Sequence, residues 1–286
     1  MGQFKLDAIS LRYVNVKDND RYVTLLTPKA GLVECFARRA RRPKSPLMAR
    51  TEPFVSGTWM GYQKGDNLYL DQVDVRYSFP RLNTDVLTLT SATQLADLVR
   101  DAAGDPGLSA ELYELLHYAL YTLESRPEDY KRITAATGLY ILHLLGLAPD
   151  PQVCGICGND LDLRKKIRVN HSAGYFVCHT HPFAVDAYNG QPVYEQVSAA
   201  VVETMDYLQR KEAKNCLSFT IGKKDEEALW TFSKVELMLR LERDWPNLRL
   251  LDELEKETSD LADLLKGVKV AREKRVNPEV DPEDAP

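Results

Sequence analysis

The chain has 286 residues, 44% hydrophobic and 28% charged, enough for two or three modules with a real core. No apolar run approaches the roughly 18–20 residues a membrane span needs, and the opening MGQFKLDAISLRYV alternates polar and apolar residues where a signal peptide would be basic and then apolar, so a cytoplasmic protein is expected. The formal charge of −5 hides an asymmetry: residues 1–80 hold 13 Lys+Arg and 8 Asp+Glu, a net of +5, while residues 81–286 hold 24 and 34, a net of −10.

Residues 1–80 read as β. Ala8–Val16, Arg21–Thr27 and Leu32–Ala37 are rich in Val, Leu, Ile, Tyr and Thr, with turn residues at Lys17–Asp20 and Pro28–Gly31 between them. After a basic stretch come Glu52–Gln63 and Asn67–Tyr77, joined by the short hairpin signal Lys64-Gly65-Asp66. Five strands without a long helix predict a small closed barrel of the OB type, a common binder of single-stranded nucleic acid.

From about residue 92 the period becomes helical. Leu112, Leu115, Leu116, Ala119, Leu120 and Leu123 form one stripe, with a start signal at Ser109. Tyr130–Leu147 forms another and ends at Gly146 and Pro149. Helical character resumes at Glu195–Lys211, Asp225–Leu241 and Leu248–Leu265, and Leu251–Glu257 reads as a solvated acidic face. The tail from Lys266 is charged and Pro-punctuated, which predicts disorder. The expected organisation is α+β: an OB-fold barrel (1–80), a helical domain in two parts (81–150 and 183–265) with an inserted zinc-binding segment (151–182), and a tail (266–286).

Three of the five cysteines fall in that inserted segment. In a reducing compartment this favours metal over disulfides. Cys154, Cys157, Cys178 and His181 follow the spacing C-x2-C-x20-C-x2-H. Two short-spaced pairs on facing turns supply the tetrahedron zinc requires, and four protein ligands leave no open position, so one structural zinc is expected. Gly155 and Gly158 let the backbone wrap the first pair, and Gly174 fits a hairpin returning the second. His181 has the usual spacing and is preferred to the adjacent His179; His171 is a remoter choice. A thioredoxin-type CxxC should open a helix, which Cys157-Gly158-Asn159-Asp160 does not, and the zinc deaminase H-x-E element is absent.

Arg38, Arg39, Arg41, Arg42 and Lys44 place five cations in seven residues. Such a loop would contact several phosphates, strongly and with little regard to base sequence. Tyr13, Tyr22, Phe36, Phe54, Trp59 and Tyr62 could offer stacking platforms for unpaired bases, although for any single one a place in the barrel core is the simpler reading. Cys35 and Cys216 read as packed thiols, and His117 and His143 as histidines within helical stripes. Gly222-Lys223-Lys224 lacks the preceding glycine of a phosphate loop. No paired acid, triad or nucleotide fingerprint stands out, so no enzymatic activity is expected.

The text AISLRYVNVKDNDRYVTLLTPKAGLVECFARRARRPKSPLMARTEPFV, and further on TGLYILHLLGLAPDPQVCGICG, resembles the RecO family of bacterial recombination mediators over roughly residues 5–182. The resemblance implies an OB-fold, a helical domain and an inserted zinc segment. It further implies binding of single- and double-stranded DNA, annealing of complementary strands, and help to RecA in replacing single-strand-binding protein, together with RecR. It would make Arg38, Arg39, Arg41, Arg42 and Lys44 DNA contacts, and Cys154, Cys157, Cys178 and His181 metal ligands, in a nucleoid-associated bacterial protein without a small-molecule substrate. His181 stands where some members have a fourth cysteine. Two other readings remain: a zinc-stabilised scaffold whose basic loop binds an acidic protein, and a zinc hydrolase, which the closed ligand set disfavours.

Overall fold

The computed structural model of the chain describes residues 2–181, 193–258 and 260. Its first five strands are β1 (Gly2–Val16), β2 (Asp20–Thr27), β3 (Gly31–Ala37), β4 (Ser56–Lys64) and β5 (Asn67–Tyr77), closed into a barrel in the order β1-β2-β3-β5-β4. Closure depends on the length of β1. Its first half, Gly2–Ile9, pairs with β4, and its second half, Ile9–Val16, pairs with β2. The switch falls at Ser10, whose hydroxyl donates to Glu52 O (2.6 Å) and accepts from Val55 N (2.9 Å). The Ser10 backbone adds N–H to Val55 O (3.0 Å) and accepts from Phe54 N (2.8 Å). The opposite seam is short: β3 meets β5 in parallel only through Cys35–Leu68 and Phe36–Tyr69.

The barrel interior holds Val23, Leu25, Cys35, Trp59, Leu70 and Val73. Ile9, Leu11 and Leu26 belong instead to the core of the helical body. This is why Ala8–Leu11 shows no polar alternation: both faces of β1 are covered there. Glu124 ties the two parts, accepting from Tyr77 Oη (2.6 Å) and Arg81 N (3.0 Å).

The helices are α1 (Val86–Ala102), α2 (Ser109–Ser125), α3 (Tyr130–Leu144), α4 (Ala199–Gln209) and α5 (Lys223–Arg240), followed by helical turns over 246–258, here α6. The α3 helix is buried on nearly every side between α1 and α5. Gly138 permits this, since a Cβ there would meet the Leu237 side chain. A small sheet, order β7-β6-β8, is made of β6 (Ile167–Asn170), β7 (Tyr175–Val177) and β8 (Glu195–Val197). None of the described helices is long and apolar enough to cross a membrane.

Several expectations are corrected. The helix predicted from Glu195 begins at Ala199, because Glu195–Val197 pairs with β6 and the Ser198 hydroxyl then caps the helix by accepting from Val201 N (3.3 Å). The α3 helix stops at Leu144, with Gly146 at φ +70°. The acidic face of Leu251–Glu257 is not merely solvated: Glu255 and Glu227 pair with the buried Lys131 (2.6 and 2.5 Å), and Asp252 accepts from Trp230 Nε1 (2.6 Å) and Lys234 Nζ. The expectations for 182–192, for 259 and 261–265 at the end of the last predicted helix, and for the tail 266–286 lie outside the described residues.

Replacing Ser10 by Ala leaves the Val55 N–H without its side-chain partner beside a buried strand switch. Loss of such a bond costs about 1–3 kcal/mol, and denaturant unfolding of S10A is expected to show a stability loss of that size, as a lower midpoint with unchanged slope.

Candidate metal centre and nucleic-acid interface

The Cys/His segment is built from two turns on facing pieces of chain. The first wraps Cys154–Gly158: Cys154 N–H donates to Asn159 O (2.8 Å) and Gly158 N–H to Cys154 O (2.8 Å), with Gly158 at φ +70°. Gly155 N–H bonds Phe176 O (2.9 Å) and thereby joins this turn to β7. A Cβ at Gly155 would strike the Tyr175 ring, so only glycine allows the approach. The β6–β7 hairpin, turned by Gly174 at φ +76°, brings Cys178 back, and Arg168 holds the second turn by donating to His181 O (3.1 Å).

The donor atoms of Cys154, Cys157, Cys178 and His181 lie within 4.8 Å of one another, and this group could hold a metal ion. Cys157 Sγ and Cys178 Sγ are 3.9 Å apart, and Cys154 Sγ accepts from Cys178 N (3.4 Å). Burial alone would raise the Cys154 thiol, but N–H donors from Cys178, Cys157 and Ile156 bring it down to about 6, which favours thiolate at neutral pH. His181 Nε2 is buried and has no hydrogen-bond partner among the described residues. An uncommitted buried nitrogen beside three sulfurs suits a metal. His179 is not in the group. His171 is engaged elsewhere, its Nδ1 lying 2.6 Å from the buried Glu236, which also accepts from Arg240 Nε (3.0 Å).

The other two cysteines are packed thiols. Burial pushes Cys35 and Cys216 up to about 12. His117 packs edge-on to Phe79, and burial lowers its pKa; His143 packs against Tyr140.

On the barrel, the basic loop is a chain of turns with fixed anchors. Arg39 N–H donates to Asp20 Oδ1 (2.7 Å) and Arg41 N–H to Asn19 O (3.0 Å), holding the loop against the β1–β2 turn. Ala40 and Leu47 are buried in the barrel core. Behind the loop, Arg21 is buried. It lies 3.8 Å over the Tyr13 ring, pairs with Glu52 (2.9 Å) and donates to Met48 O and Thr51 Oγ1 (3.1 and 2.9 Å). Anchored in this way, Arg38, Arg39, Arg41, Arg42 and Lys44 all point their charges outward. They are exposed, and among the described residues none forms an ion pair.

The six candidate aromatics divide. Trp59 and Phe54 are core residues (0% and 4% exposed), and Tyr13 lies under Arg21, so these three offer no free face. Tyr22, Phe36 and Tyr62 stand on the outer surface together with Tyr69, which the sequence reading did not single out. The signal was there: Leu68 and Leu70 face inward, so Tyr69 between them must face out.

An OB-like barrel docked on a helical body, with a Cys3His group set into that body, defines an α+β protein, and the chain is similar to DNA repair proteins. The family model for the recombination protein O N terminal domain matches residues 1–79, and that for the C terminal domain matches residues 83–249. The chain is 33% identical to a DNA repair protein RecO of Exiguobacterium sp. over 178 residues, covering 62% of this chain and 70% of the relative. It is 30% identical to a DNA repair protein RecO of Anaeromyxobacter sp. over 256 residues, covering 89% and 98%. A RecO of Acetivibrio thermocellus is 23% identical over 256 residues, covering 90% and 99%. The chain belongs to the RecO family.

In the metal-free protein an alkylating reagent is expected to reach the exposed Cys157 and to leave the buried Cys35 and Cys216 intact until the protein unfolds, as peptide mass mapping would register. Because the ligands must be deprotonated, and Cys157 is raised where its coupled neighbour Cys154 is lowered, metal uptake should already weaken as pH falls below the ordinary thiol range and weaken further at lower pH.

Proposed function

We propose that this RecO-family DNA repair protein is a non-enzymatic recombination mediator. It binds single- and double-stranded DNA, anneals complementary strands and, with RecR, helps load RecA onto DNA coated by single-strand-binding protein in the bacterial nucleoid. The observation that carries this reading is the basic loop: five exposed cations without ion-pair partners among the described residues, on a barrel module of opposite charge to the rest of the chain. Arg38, Arg39, Arg41, Arg42 and Lys44 neutralise phosphates and release counterions on binding. Held by its backbone and leaving its bases accessible, a strand so neutralised repels its complement less, which favours annealing. The acidic helical body stays clear of the DNA and offers a separate surface to proteins. The working division of the chain is the barrel (1–80), the helical domain (81–150 and 183–265), the metal segment (151–182) and the tail (266–286).

The metal is assigned as one structural zinc on Cys154, Cys157, Cys178 and His181. Thiolates about 2.3 Å from a tetrahedral zinc lie about 3.8 Å apart, close to the 3.9 Å between Cys157 and Cys178. Four protein ligands leave the ion no reacting position; it would clamp the 154–158 turn to the hairpin end and so brace the helical body.

Five phosphate contacts on a single strand imply a slope of log affinity against log salt of about −3.5. A fluorescent single-strand titration is expected to give a slope near that value for the wild type, and binding should collapse in the Arg38/Arg39/Arg41/Arg42→Glu variant. No binding by the zinc-loaded wild type at low salt would refute the mediator reading and favour a scaffold with an acidic protein partner. Cys154→Ser is expected to abolish stoichiometric zinc and lower the melting temperature while leaving the affinity of the barrel for DNA within about twofold, since the metal segment lies outside the barrel; elemental analysis and the same titration check both.

A further inference from the structure

Between the small sheet and the facing sides of α4 and α5 lies a cleft of about 310 Å³, at the low end of the range for ligand sites. Its floor is apolar and buried: Val169 on β6, Val197 on β8, Val201 on α4 and Phe232 on α5. Its mouth is acidic. Glu195 and Glu227 line it with side chains 69% and 57% exposed, and no Lys or Arg is among the lining residues. Glu195 lies 3.4 Å from His171 Nε2, and Glu227 shares the buried Lys131 with Glu255. Three carboxylates against one ammonium leave the mouth negative. Such a site repels phosphate and suits a cation carried on an aliphatic stem, which lays the stem on apolar surface and keeps its charge at the rim.

Two stretches outside the described residues adjoin the cleft in sequence. The first, PFAVDAYNGQP (182–192), leads into β8; it holds one aspartate and no Lys or Arg, so it has no cation to give. The second follows α6. That helix runs along α5 towards the start of α5: Asp252 meets Trp230 and Lys234, and Glu255, one turn on, meets Lys131 beside Glu227. The end of α6 therefore passes the mouth of the cleft. Lys266 comes eleven residues after Glu255, a span that extended chain covers up to about 36 Å. There the sequence reads KGVKVAREKR (266–275), with five cations, one glutamate, and the apolar Val268 and Val270. Its chemistry is the complement of the cleft. A tether of this length sets an effective concentration of about millimolar, so a weak contact is enough.

We propose that the cleft between β6, β8, α4 and α5 is the docking site of the chain's own segment Lys266–Arg275. The valines and lysine stems lie on the apolar floor, and the cations meet Glu195 and Glu227. The docking involves the protein alone and stands apart from the DNA-binding reading.

The test is carbodiimide coupling of the full chain, which joins a carboxylate to a lysine amine in contact with it as an amide, with loss of water. Peptide mass mapping of the wild-type monomer is expected to show Glu195 or Glu227 joined to Lys266 or Lys269. The neighbouring pair Lys234 and Asp252 should couple in every variant and serves as the internal control. Thr231 is an exposed residue of the cleft one turn from Glu227. Thr231→Arg sets a guanidinium in the cleft and is expected to lose the segment cross-link while keeping the control. Thr231→Ser, which leaves the cleft open, should match the wild type. Absence of the segment cross-link in wild type, while Glu195 and Glu227 couple to added glycine methyl ester, overturns the proposal and needs no variant. A cross-link that persists in folded T231R also overturns it. So does one that joins light to heavy peptides in a mixture of unlabelled and isotope-labelled protein, which would seat the segment of a second copy there. None of these outcomes involves DNA, so each leaves the reading of the barrel as it stands.

Discussion

The barrel depends on one strand serving two partners. Because β1 gives its first half to β4 and its second to β2, a single register decides the position of everything mounted on the barrel. Ser10 marks the change of partner and ties it to the entry of β4 through side chain and backbone together. The stretch between β3 and β4 is then not a free loop. It is bounded by a strand end at Ala37 and a fixed re-entry at Ser56, and Arg21 supports it from behind with a buried guanidinium. Five like charges close together repel one another, and their backbone must be held by other means. Here it is held by Asp20, Asn19, Ala40 and Leu47.

The two ends of the molecule solve different problems with the same economy of side chains. In the barrel, one arginine is buried and paired while four others and Lys44 stand outside, without ion pairs among the described residues. In the metal segment, glycine at 155 allows a close backbone approach, and N–H groups directed at Cys154 lower its thiol. The helical body shows the converse arrangement of charge. Its buried Lys131 is met by two carboxylates from different elements, Glu227 on α5 and Glu255 on α6, so part of the acidity of this half is spent on holding helices together.

How far the sequence disclosed this is best seen residue by residue. The five strands and the two short-spaced halves of the C-x2-C-x20-C-x2-H pattern were legible because each is local: alternation and pair spacing lie within a few residues. The β8 strand was not, because Glu195-Gln196-Val197 becomes a strand only when β6 is beside it. The same limit explains the aromatics. Trp59 fills the barrel and Tyr62, three residues further along β4, stands outside it; alternation separates the two, but which parity faces inward is fixed only once the neighbouring strands are in place. Lys131 and Arg132 were equally hidden, since a charged pair in a helical stripe reads as solvent-facing until Glu227, Glu255, Asp129 and Leu217 O are seen to meet it.

The short parallel seam between β3 and β5 carries a dynamic consequence. Its backbone pairing involves only Cys35–Leu68 and Phe36–Tyr69, while every other seam is zipped over most of a strand. Amide protons along this line are therefore the ones through which the barrel should open to solvent ahead of global unfolding. The rings of Phe36 and Tyr69 sit across that line like a hasp on the outside of a door. Any ligand lying over both rings favours the closed form by its preference for it, so occupancy of the outer face and rigidity of the cylinder are thermodynamically the same variable, seen from two sides.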